Sequence, residues 1–298
     1  MQLNQSPKIN INYCAKIVEI HDFTPHPNPK CERLKCAHID GYTISVSKDT
    51  EPGISADVLC KRQLKWKDKV AGWLTYVPDT AYDYLWSSRK VVKNQYYNKE
   101  VSEGYYGCDV WGEAHKVLQP FLTKGLTLYY EIIGWLPTGG AIQSMGGKAY
   151  DYGYDMPIWD PTTPYKYNVH FGIRVYRITY TNPDGIVYEF SARQVQQWCK
   201  DKGLTPVTEL YYEYAKDLYP DISVSEHWNE NFIQRLAEDK NFFMEELSPE
   251  CHNDVPHEGI VIRIEDGLSG AYKLKCNRFL FAESKALDKG EVDIESDQ

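Results

Sequence analysis

No apolar run in these 298 residues approaches the roughly 20 residues that a membrane-crossing helix needs. No basic, apolar and small-residue leader opens the chain either, so a cytoplasmic location is expected. Basic charge is in short supply. The net charge is -9, which speaks against a protein that coats nucleic acid without specificity and leaves room for a local basic groove. Paired metal-ligand cysteines are also lacking. Among eight cysteines, Cys31 and Cys36 stand closest, and no second pair completes a zinc site. They are expected as reduced, mostly buried thiols.

What is present is the material of an ordinary globular protein. Apolar residues make up 42% and charged residues 25% of the chain, enough for one large domain or two modest ones. Tyrosine is abundant at 24 residues. It supplies apolar area with a polar tip and can stack on bases.

The most specific stretch lies near the C-terminus. It reads His257-Glu258-Gly259-Ile260-Val261-Ile262-Arg263, then a turn-rich loop from Glu265 to Gly270, then Tyr272-Lys273-Leu274-Lys275-Cys276. β-Branched residues after Glu258 predict a strand, the loop predicts a hairpin, and alternation puts Lys273 and Lys275 on one face. One carboxylate and two ammonium groups then face one pocket. A carboxylate there can hold a hard cation, and paired lysines can neutralise phosphate. For the lysine pair alone, the plain alternative is an edge hairpin with a solvated face.

Taken together, the two pieces resemble motifs IV (E-G-x-V-x-[KR]) and V (K-x-K) of the covalent nucleotidyltransferases, which include RNA ligases, DNA ligases and mRNA capping enzymes. Three upstream stretches agree in order. Tyr84 to Val91, a strand ending in Ser88-Arg89, resembles motif Ia. Tyr129-Tyr130-Glu131-Ile132-Ile133-Gly134 resembles motif III, with Tyr130 where the family has glycine, a bulk expected to crowd the sugar. A lone acid in an apolar strand needs a partner or a ligand. His170 to Arg177 resembles motif IIIa, with Phe171 at the place of an aromatic that stacks on adenine and equally suited to a core. The chain is identified as similar to ATP-dependent RNA ligases of the phage type, which carry an N-terminal OB-like module.

The resemblance implies an α+β nucleotidyltransferase (ATP-grasp-like ligase) domain with antiparallel sheets over residues 54–287. A truncated small-β OB-like module, residues 1–53, precedes it, and an acidic tail, residues 288–298, follows. Such a barrel takes about five strands, and roughly three can be drawn before Pro52-Gly53. The resemblance further implies ATP and Mg2+ as cofactors and RNA ends as partners. Nucleotide contacts fall to Arg89, Glu131, Phe171, Glu258, Lys273 and Lys275, with Glu258 and Glu131 serving the metal.

Elsewhere the pattern predicts a strand at Ile54–Cys60, a basic helix over Lys61–Trp73 and a helix over Asp109–Leu122. The stretch from Pro137 to Tyr167 predicts a long functional loop. A turn is expected at Asn182–Gly185. A helix over Ser191–Lys202 is capped by Ser191 and stopped by Gly203, and another helical stretch runs from Phe232 to Phe243.

One element is absent. The family's nucleophilic lysine stands in motif I, K-x-[DHN]-G, just before a strand. Lys48-Asp49 precedes the Ile54 strand without a K-x-x-G register, and Lys69-Val70-Ala71-Gly72 lies after it with Ala in place of the polar residue. Lys69 and Lys48 are thus the alternative nucleophiles, and self-adenylylation is expected to be weak or absent. The other reading is a non-catalytic nucleotide- or RNA-binding relative.

Overall fold

The computed structural model describes residues 18–19, 43–48, 52–61, 66, 80–88, 92–93, 106–158, 160, 162–222, 228–239, 248, 250–265 and 270–288. Expected features at Leu34–Ile39, Lys69, Arg89 and the acidic tail past Asp288 lie outside the described residues. Of the expected basic helix Lys61–Trp73 two residues are described: Lys61, which ends a strand, and Trp66, helical and exposed.

The fold is α+β, built on two five-stranded sheets. The first runs in the order β4 (Thr80–Ser88), β3 (Pro52–Lys61), β5 (Leu126–Gly134), β8 (Phe171–Thr181), β9 (Val187–Glu189), with every pairing antiparallel. The second runs β1 (Val18–Glu19), β12 (Gly270–Lys275), β11 (Gly259–Ile264), β2 (Thr43–Lys48), β10 (Glu209–Tyr214), antiparallel except for β1 beside β12. A small hairpin joins β6 (Ser144–Met145) to β7 (Lys148–Ala149). β2 lies hydrogen-bonded between β11 and β10, and β3 starts at Pro52. Hydrogen bonding across sequence-distant strands, invisible to local pattern, places β2 there.

One core covers the outer face of the first sheet. There α1 (Val110–Leu118) and α2 (Ala192–Lys202) bury Val110, Trp111, Leu118, Val195 and Cys199 against Leu126, Leu128, Tyr130 and Ile132. The second helix begins and ends as its sequence predicts. Ser191 and Gln194 form a reciprocal capping box, and Gly203 closes it in the left-handed region at φ 67°. The predicted Asp109–Leu122 helix divides into α1, capped by Asp109, and a 3-10 turn at Gln119–Phe121, because Pro120 cannot extend the α-helical ladder.

A second core lies on the outer face of the other sheet. It gathers Ile260, Ile262, Cys276 and Phe279 with Ala215, Tyr219, Phe232 and Leu236. Ile260 and Ile262 come from β11, and the others from α3 (Ala215–Leu218), α4 (Trp228–Glu238) and α5 (Asn277–Asp288) or their flanks. Among the described residues Cys108 and Cys199 are free thiols, Cys199 buried. Among the described residues no helix is long and apolar enough to cross a membrane.

Tyr130, the bulky departure in the motif III stretch, points into the first core. Its hydroxyl lies 3.2 Å from Ser55 Oγ, and a Cβ at Gly53 would come within 2.6 Å of its ring. Alternation sends Tyr130 to the face opposite Glu131. Ser55 Oγ also meets His115 Nδ1 at 3.1 Å, and the imidazole stacks on Trp86 with centroids 4.8 Å apart.

Burial pushes the His115 imidazole down to about 4. An unfolded histidine takes its proton near pH 6.5, so between about pH 6.5 and 4 the unfolded chain binds more protons than the folded one. Stability should therefore fall on acidification through that window, by about 3 kcal/mol from this residue. Urea unfolding of wild type and His115→Gln at about pH 7.5 and 4.5 measures the difference. An equal acid loss in both proteins would contradict it.

Candidate functional site

The inner faces of the two sheets are turned toward each other, and alternation determines what they display. In β5, Leu128, Tyr130 and Ile132 belong to the first core, so Tyr129, Glu131 and Ile133 take the inner face. Arg177 from β8 lies over the Tyr129 ring at 4.6 Å. In β11, Ile260 and Ile262 belong to the second core, so Val261 and Arg263 point inward. Lys273 is directly opposite Val261 and Lys275 opposite Gly259, which puts both lysines on the same inner face.

An ionic chain crosses between the sheets. Arg177 bonds Glu189 through two nitrogens, with Nη2 to Oε2 at 2.7 Å. Arg263 of the other sheet reaches Glu189 at 3.2 Å and Glu265 at 3.1 Å, and donates to the Phe190 carbonyl. Glu265 in turn accepts from the backbone N–H of Ala192 at the start of α2. The arginine that ends the motif IV resemblance is thus a clasp between sheets.

Glu258 sits at the mouth of β11, as its sequence predicts. Its Oε1 accepts from Lys273 Nζ at 2.7 Å. Its Oε2 accepts from Gln143 Nε2 at 3.2 Å, and Gln143 Oε1 accepts from the Tyr152 hydroxyl at 2.6 Å. Lys275 pairs with Glu283 of α5 at 3.0 Å and lies 5.4 Å from the Phe279 ring centre. The expected common pocket for Glu258 and both lysines is therefore divided: Lys273 meets Glu258, while Lys275 turns to the C-terminal helix.

Glu131 is 4% exposed and stands opposite Pro52 on β3 and Arg174 on β8. Lys48 ends β2 opposite Ile260. Pro52, four residues on, opens β3 opposite Glu131. Four residue steps span at most about 14 Å, so the Glu131 end of one sheet lies near the Glu258 end of the other. In the resemblance, motif I belongs in this part of the sequence.

Phe171, expected at the place of an aromatic that stacks on adenine, is 1% exposed and lies in the first core, its ring 4.6 Å from that of Tyr165. Gly134 stands opposite it and leaves room for that packing. The backbone of Lys48, an alternative nucleophile, pairs with Ile260 where β2 ends. Lys69 and Arg89 lie outside the described residues.

Gln143 and Tyr152 had no motif to announce them. Their only signal in sequence was the Gly-, Pro- and Tyr-rich character of the 137–167 stretch. The donor set fits a hard cation brought by a nucleotide. Glu131 and Glu258 offer carboxylate oxygens, and magnesium usually takes one or two carboxylates plus substrate phosphates. Among the described residues no group of three or more His, Cys, Asp or Glu side chains forms a cage for a metal without that nucleotide.

No family model matches this sequence, and no curated protein matches it. Solved structures do. A mutant of the Naegleria gruberi RNA ligase in its apo form is similar at 13% identity and a TM-score of 0.43, over 83% of this chain and 52% of that one. Another mutant of that ligase, with ATP and Mn, is similar at 14% identity and a TM-score of 0.40, over 82% of this chain and 52% of that one. An archaeal ATP-dependent RNA ligase is similar at 13% identity and a TM-score of 0.38, over 87% of this chain and 51% of that one. The chain spans about half the length of these structures.

Proposed function

We propose that this chain is an ATP-dependent RNA ligase whose sealing step is stronger than its self-adenylylation. The nucleotide would lie between the inner faces of the two sheets. The carrying observation is that Lys48 and Pro52, four residues apart in sequence, pair with Ile260, two residues beyond Glu258, and with Glu131, while Glu258 holds Lys273. Three stretches far apart in sequence are thereby brought to the same strand ends, and the resemblance places nucleotide contacts in each. On this reading the catalytic unit begins with β2, not after residue 53.

In the implied reaction a lysine attacks the α-phosphorus of ATP and pyrophosphate leaves. The AMP then passes to an RNA 5′-phosphate, and an RNA 3′-hydroxyl displaces it. Lys273 is the cation for the phosphate, held at its post by Glu258. Glu131 and Glu258 would hold magnesium, which supplies charge neutralisation on the phosphate oxygens. Sealing of an RNA already carrying AMP needs these residues and not the motif I amine. The first step needs an amine in line with phosphorus, where small misplacement costs orders of magnitude. The missing K-x-x-G register at Lys48-Asp49 supports a weak first step.

The deciding experiment supplies magnesium with either pre-adenylated RNA or 5′-phosphate RNA plus ATP. Joining of the first at least about a hundredfold faster than the second is expected. Efficient joining of both, abolished by Lys48→Ala or Lys69→Ala, would restore an ordinary nucleophile. A non-catalytic relative is the second reading, favoured by the missing K-x-x-G. It predicts ATP binding with neither RNA joined.

A further inference from the structure

We propose that Gln143 and Tyr152 are positioning residues for Glu258, setting the plane of its carboxylate through a one-way chain of hydrogen bonds. The proposal rests on the functional reading above and adds two residues to the same site.

The direction of the chain follows from what each group can donate. A carboxylate only accepts, so Gln143 must present its NH2 to Glu258. Its carbonyl then faces the Tyr152 hydroxyl, which must donate. Burial raises the Tyr152 phenol well above its ordinary value, so it keeps the proton it gives to Gln143. Glu258 thus receives an ammonium on Oε1 and an amide N–H on Oε2. With a different donor on each oxygen, rotation of the carboxylate breaks at least one bond.

Gln143 is itself held from two sides. Ile142 beside it belongs to the first core and donates its N–H to the Gly134 carbonyl at the end of β5. On the other side, Tyr150 N–H donates to the Gln143 carbonyl and Tyr150 Oη donates to the Pro256 carbonyl. Asn253 Nδ2 donates to the Ala149 carbonyl, and the His252 N–H donates to the Asp151 carbonyl. The loop is therefore bolted to the end of the motif III strand and to the segment leading into Glu258. A shift in one reaches the other through Gln143.

The test compares three replacements at Gln143 and one at Tyr152. Gln143→Leu deletes the donor, and Gln143→Glu sets a second negative charge against Glu258. Gln143→Lys returns a donor. Sealing of pre-adenylated RNA should fall about tenfold to a hundredfold in Gln143→Leu, fall further in Gln143→Glu, and recover in Gln143→Lys. Tyr152→Phe should show a smaller loss in the same direction. A role in mere packing would not order the variants by charge.

On a Glu258→Ala background, Gln143→Leu should cost nothing more, since the group it positions is gone. Equal losses in all three Gln143 variants, or losses that add to that of Glu258→Ala, overturn the proposal. If the wild-type chain neither binds ATP nor seals RNA, the functional reading has failed. The same cycle read on the urea midpoint still decides the positioning. Gln143→Leu should lower the midpoint of the wild-type protein and leave that of Glu258→Ala unmoved.

Discussion

Lys273→Ala should weaken ATP binding by about tenfold or more, from the loss of a charge-assisted contact of about 1.5–3 kcal/mol. On the proposed reading the lysine has two duties, and this substitution removes both. In the free protein it neutralises Glu258, with the side chains of both largely buried. In the complex it would face phosphate as well. Truncation therefore leaves a carboxylate without its ammonium in a partly dehydrated place, which is costly in itself. A loss of affinity could then be blamed on disorder at the site. The double variant Lys273→Met/Glu258→Gln removes both charges together and should recover stability, because replacing a buried pair costs less than breaking it. Its ATP affinity should stay low. Calorimetry on the two variants decides the matter, and unchanged affinity in Lys273→Ala would remove Lys273 from the nucleotide site.

The second large effect concerns the clasp. Arg263→Met is expected to destabilise the fold by about 3–5 kcal/mol, the usual cost of removing one partner from a buried ion network. Arg263 is the group that touches both Glu189 of the first sheet and Glu265 beside the second. Without it, two nearly buried carboxylates lose a shared cation, and Arg177 remains to Glu189 alone. The loss should show as a lower urea midpoint. It should shrink when Glu265→Gln is added, because part of the penalty is the carboxylate left behind. A loss below about 1 kcal/mol would place the pair among weak surface bridges and would mean that the sheets are held by apolar contact.

Much of this arrangement was legible in local pattern. The Glu258 hairpin, the Glu131 strand, the turn at Asn182–Gly185 and the Ser191-to-Gly203 helix each carry their own signals. Alternation, turn residues and caps act over a few residues and need no distant partner. Alternation also placed Lys273 and Lys275 on one face before any fold was in view.

Local pattern could not say which strand would lie beside which. It read Thr43–Lys48 as part of a separate module, whereas hydrogen bonds to β11 and β10 make that strand part of the Lys273 sheet. Phe171 looked as suited to a base as to a core, and only the Gly134 gap and the Tyr165 ring determined its packing. Gln143 carries no mark in sequence, because its role depends on a carboxylate 115 residues away. The resemblance was thus carried by residue types and their spacing. Which of those residues share a sheet face was decided by long-range strand pairing, since register between distant segments is chosen by the burial of both sheets at once.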